Sequence, residues 1–112
     1  MSDALAKKIH DQTATPGSEA AVREWFEAIA AGTPDYDRFG ASVAETVRQQ
    51  LPELQPWYQR LGAIKSVDFK GVGPGGADIY EVTFENGALE VRVRVAPGPN
   101  SKLWQVLTRS LR

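Results

Sequence analysis

The sequence predicts an α+β fold, with N-terminal helices packed on one face of a four-stranded antiparallel meander sheet. Three observations lead there. Apolar residues recur at helical spacing through the first half of the chain and switch to strict alternation after Gly62. Residues 77–95 hold two alternating runs around Asn86-Gly87, the strongest short hairpin signal, since both residues tolerate the positive φ of a two-residue type I′ turn. That turn pairs Phe84 with Leu89, Val82 with Val91 and Tyr80 with Val93 on an apolar face. The other face pairs Thr83 with Glu90, Glu81 with Arg92 and Ile79 with Arg94, and is mostly polar.

The elements follow in order. Ser2 caps a short helix in which Leu5 and Ile9 share a face, ending near Gln12 before the breaker at 13–17. Ser18 caps a stronger helix with Val22, Trp25, Phe26 and Ile29 on one stripe and Gly32 as its stop. A loop at 33–40 anchors Tyr36 and Phe39 at the edge of the core. Ser42 and Glu45 form a capping box that opens a helix with Val43, Val47 and Leu51 inward, and Pro52 interrupts it. A further helical run puts Leu54, Trp57, Tyr58 and Leu61 on one side and stops at Gly62. Val67 and Phe69 alternate with polar neighbours in a half-buried strand, and a glycine-rich loop leads to the hairpin. Residues 96–101 break the sheet before a last strand, Leu103 to Leu111, whose pattern needs a bulge to choose a face. The 112 residues make one domain, with 1–17 a peripheral helix and linker.

Composition excludes several functions. A net charge of −1 with 24% charged residues gives no basic field for nucleic acid or anionic membrane. No Cys is present, which removes disulfides, thiolate metal sites and cysteine nucleophiles. The N-terminus lacks the apolar core of a signal peptide, so the expected compartment is the cytoplasm, or the periplasm or exterior if the domain is part of a longer chain.

Motifs with chemical potential are few. Residues 71–76 satisfy G-x-G-x-x-G, but a strand follows where the dinucleotide fingerprint needs a helix N-terminus, and Pro74 removes a backbone donor. His10 stands alone, so no metal centre and no cofactor are expected. Glu81, Glu85 and Glu90 read as a solvated, ion-paired surface near Arg92 and Arg94. Trp25, Trp57, Tyr58, Tyr80 and Tyr36 are the candidate lining of a pocket between helices and sheet, with Asp35 and Asp78 on its rim. Tyr80 is singled out because a buried phenol needs a hydrogen-bond partner.

Pro34-Asp35-Tyr36, the segment 51–55, the segment 61–67 and the run 69–87 resemble the small cystatin-like, nuclear-transport-factor-2-like α+β domains. In bacteria such domains occur alone or appended to serine hydrolases of the β-lactamase and peptidase kind. The resemblance spans roughly residues 18–109 and implies a cystatin-like roll. The fold hosts isomerases, polyketide cyclases, dehydratases and non-catalytic dimers, so it does not fix a function. Its enzymes place Asp and His inside the cone, and no inward position here matches them. The expected function is a non-catalytic accessory or small-ligand-binding domain. It would dimerise through the outer sheet face at Ile79, Glu81, Arg92, Arg94, Trp104 and Val106, with a small apolar ligand or a serine hydrolase as further partners. The competing expectation is an isomerase or lyase of the ketosteroid-isomerase or polyketide-cyclase kind, in which Tyr80 polarises a carbonyl and Asp35 or Asp78 moves a proton.

Overall fold

Three helices precede four strands, α1 Asp3–Asp11, α2 Ser18–Ala31, α3 Ala41–Leu61, β1 Ile64–Val72, β2 Asp78–Phe84, β3 Gly87–Val95 and β4 Leu103–Ser110. This computed structural model describes residues 3–96 and 102–111, so the capping role expected of Ser2 and most of the breaker at 96–101 lie outside the described residues. The sheet is an antiparallel meander in the order β1-β2-β3-β4, with the helices against one face, as the sequence predicts.

The alternation sorts as expected. Tyr80, Val82, Phe84, Leu89, Val91 and Val93 are buried under Val22, Trp25, Phe26, Ile29, Val47 and Leu61. Phe26 packs edge-on to Phe84 at 5.1 Å, which ties α2 to the sheet centre. Phe69, in edge strand β1, rests against Tyr80 at 5.5 Å but stays 37% exposed. In α3 Tyr58 is the buried aromatic, while Trp57 is half-buried and packs against it.

The hairpin register departs from expectation by an even offset. Val82 lies opposite Leu89 and Tyr80 opposite Val91, and the turn residues are Glu85 and Asn86. Neither has positive φ. The physical reason is tertiary: Glu85 N–H donates to Ala63 O at 3.0 Å and Asn86 N–H to Leu61 O at 2.9 Å. The Asn86 side chain donates to Arg60 O, and Glu85 Oε1 accepts from Ala63 N–H. The turn thus satisfies the carbonyls left open at the end of α3, and those bonds override local turn preference. Gly87 is required for space, since a Cβ there would stand 2.9 Å from Leu61 Cδ2. Because side chains alternate with period two, the offset leaves both faces intact.

Residues 41–61 form one helix through Pro52 and Pro56, where the sequence predicts an interruption. The prolines sit one turn apart on the exposed side of the helix, and the carbonyls that lose a donor, Arg48 O and Pro52 O, belong to residues that are themselves exposed. The expected caps also differ. Gly40, not Ser42, precedes α3, and Glu45 accepts from Gln49 instead of closing a capping box. Gly17 precedes α2, and Ser18 turns inward. The bulge in the last strand falls between the pairs Arg94–Gln105 and Val95–Leu103, leaving Trp104 as the extra residue.

The glycine-rich loop is the seat of α1. A Cβ on Gly76 would collide with Leu5, and Lys8 donates to Gly76 O and pairs with Asp78 at 2.7 Å. The Gln12 amide bonds Val72 at both N–H, 2.8 Å, and carbonyl, 3.3 Å. The glycines admit a helix face, which gives G-x-G-x-x-G a structural purpose unrelated to phosphate.

Candidate functional site

The side chains singled out by sequence separate into those already engaged and those that border open space. Tyr80 is engaged: its hydroxyl meets Ser18 Oγ at 2.5 Å inside the core, and burial pushes its pKa up. Asp78 is fully buried between Lys8 and the Thr15 N–H, which donates at 3.0 Å. Asp35 accepts from Asp37 N–H and caps the 3-10 turn Tyr36–Arg38. Tyr36 packs on Phe39 under the Arg48 guanidinium, 4.6 Å from its ring centre. The Tyr80 hydroxyl is thus spent on Ser18 and the Asp78 carboxylate on Lys8 and Thr15, although Asp78 is close enough for its charge to add to the rise of the Tyr80 pKa.

Trp25 and Tyr58 do come together, the Trp25 indole N–H donating to the Tyr58 hydroxyl at 3.0 Å. Both border a cleft of about 300 Å³ between α3 and β4. Its α3 wall is Ser42, Val43, Thr46, Gln50, Leu54 and Tyr58, and its β4 wall is Trp104, Gln105, Val106 and Thr108. Trp104 and Val106, expected at an outer-face interface, therefore belong to the helix side. The bulge is the reason, because it carries Trp104 past the sheet edge and over Gly40, where a Cβ would stand 2.6 Å from the indole. Val106 lies opposite the buried Val93 and shares its face.

Of the residues expected to line a pocket between helices and sheet, Trp25 and Tyr58 border this cleft, while its other lining residues are not among them. The signal was the spacing of four in Ser42, Thr46, Gln50, Leu54 and Tyr58, a stripe grading from hydroxyls to a buried phenol along one helix side. Taken locally, a stripe half polar and half apolar predicts two helices divided at Pro52.

The cleft is electrically quiet. Tyr58 is the one ionisable residue lining it, and burial pushes its phenol up to about 12, against the lowering effect of the Trp25 bond. No group of three or more His, Asp and Glu fit to hold a metal occurs among the described residues. A second concavity, of about 340 Å³, lies against Phe26, Ala30, Ile64 and Phe84, with Glu27 and Gln59 at its mouth. Gln59 is already committed to Ala30 O at 2.9 Å. A third, of about 10 Å³ beside Trp25, Asp35 and Phe39, has room for a single water.

The outer sheet face carries an ion-pair cluster. Glu81 lies opposite Glu90, not opposite Arg92 as the expected register had it. Glu90 is held between Arg92 and Arg109, each at 2.9 Å, and their hydrogen bonds lower its pKa. Among the described residues no helix is long and apolar enough to cross a membrane. No protein-family profile, curated protein or solved structure matches the chain.

Proposed function

We propose that this chain is a non-catalytic binding domain that takes a small uncharged ligand in the cleft between α3 and β4. The observation that supports it is the lining: an apolar floor with convergent neutral polar groups is the chemistry of a ligand site. General acid–base catalysis needs a group that exchanges a proton near neutral pH, and a phenol at about 12 is two units above its ordinary 10.0. The test is fragment screening by protein NMR. Neutral fragments should shift signals of Thr46, Gln50, Trp104 and Thr108; fragments that collect instead around Phe26 and Ile64 would refute the assignment.

Self-association through the outer face is a separate part of the reading. Ile79, Arg92 and Leu107 form one row across β2, β3 and β4, and Leu107 is 54% exposed. Leu107→Lys should then shift sedimentation toward the monomer, and a wild-type chain that is monomeric at high concentration would end this part. The cystatin-like or nuclear-transport-factor-2-like family and an accessory role beside a serine hydrolase rest on the quoted motifs. Co-purification with a hydrolase partner is their check.

A further inference from the structure

Resting on the reading of the α3–β4 cleft as a binding site, we infer that its ligand is a neutral, hydroxyl-rich ring, a short uncharged oligosaccharide that stacks on Trp104. Trp104 is 55% exposed at the cleft mouth, a large flat apolar surface beside open polar groups. Among the described residues the side chains of Ser42, Gln50 and Thr108 have no hydrogen-bond partner, although all three line the same cleft. Thr46 spends its proton on Ser42 O at 3.0 Å and keeps lone pairs to accept with.

The donor set selects the ligand class. Hydroxyls and carboxamides each donate and accept, which is what neighbouring sugar hydroxyls require of a partner. An anionic ligand would call for Arg or Lys and a cationic one for Asp or Glu, and none of these lines the cleft. A wholly apolar ligand would strip water from three polar side chains and return nothing for it. A pyranose carries both kinds of surface, C–H groups on its face for the indole and hydroxyls at its rim for the amides. The volume of about 300 Å³ sits at the small end of ligand pockets, so a short oligomer fits better than a long chain.

The experiment titrates the ¹⁵N-labelled chain with cellotriose, maltotriose and chitotriose, with trigalacturonic acid and indole as contrasts. Each is taken to about 10 mM, enough to populate a millimolar site. The Trp104 indole N–H, the Gln50 side-chain amide and the Thr108 backbone amide are the reporters. At least one neutral trisaccharide should give saturable shifts at all three. Trp104→Ala should weaken it about tenfold or more, Trp104→Phe less, and Gln50→Ala several-fold. Trigalacturonic acid should bind about tenfold more weakly than the best neutral sugar. Saturable binding of indole in the cleft with no response to any sugar would overturn the ligand class and leave the binding site standing. Equal binding of trigalacturonic acid would overturn neutrality as the selecting feature. A cleft silent to every probe and every fragment would overturn both readings.

Discussion

Lys8→Met tests how α1 is held. The substitution keeps the length and apolar stem of the side chain and removes the charge that stands 2.7 Å from a carboxylate with no exposed surface. Removing one partner of a buried pair costs ~3–5 kcal/mol when the orphaned charge stays buried. Here a ceiling applies, because α1 can undock and let water reach Asp78. The helix has no fully buried residue, only Leu5, Lys8 and Ile9 in part. Half-burying two apolar side chains contributes about 2–3 kcal/mol and the two Gln12–Val72 bonds about 1 kcal/mol each. The expected loss is therefore about 3–5 kcal/mol, a fall in Tm on the order of 10–25 °C for a domain this size. Calorimetry reads the loss, and hydrogen exchange locates it: amides of α1 should lose protection before those of β2 and β3. Adding Asp78→Asn to Lys8→Met should restore part of the stability, since an amide still accepts from Thr15 N–H without a buried charge. A Lys8→Met chain within about 0.5 kcal/mol of wild type, with α1 amides equally protected, would refute the reasoning.

Other outcomes follow from single contacts. The folded chain keeps Tyr58 protonated to about 12 while the unfolded chain ionises it near 10.0, so between those values unfolding releases a proton and stability falls as pH rises, by about 2–3 kcal/mol in all. Denaturant titrations of wild type and Tyr58→Phe should differ in slope with pH only in that window. Ser18→Ala strands the Tyr80 hydroxyl in the core and should cost about 1–3 kcal/mol, most of it recovered in Ser18→Ala with Tyr80→Phe; a double variant no better than the single would argue against the bond. Asn86→Gly should destabilise by about 1 kcal/mol because it deletes the cap on Arg60 O, whereas a type I′ turn would tolerate it; urea midpoints decide.

The faces of the sheet were legible because alternation depends only on which side of the pleat is dry, and Val82 and Val91 carry that information locally. The register was not, because Glu85 and Asn86 answer to carbonyls at the end of α3 that no local rule includes. Ser18 and Ser42 have the composition of caps, yet one hydroxyl is claimed by Tyr80 62 residues away and the other borders the cleft. Trp25 and Tyr58 were legible as pocket candidates from their type alone. Trp104 was misplaced because its direction is decided by a bulge, and a bulge leaves little trace in a pattern that already alternates poorly. Asp78 has the parity of the apolar face, and what it meets there is an ammonium from a helix about 70 positions earlier.

Two prolines in consecutive turns bear on what holds α3 together. Each removes a donor and costs about 3 kcal/mol in a helix interior, so the segment 41–61 excised as a peptide should be coil in water. Its helicity is a product of the surface it lands on, where Val43, Val47, Tyr58 and Leu61 are buried against α2 and the sheet. The wall that carries Ser42, Thr46 and Gln50 thus exists only where α3 is docked, and a chain that loses that docking would have nowhere to hold a guest.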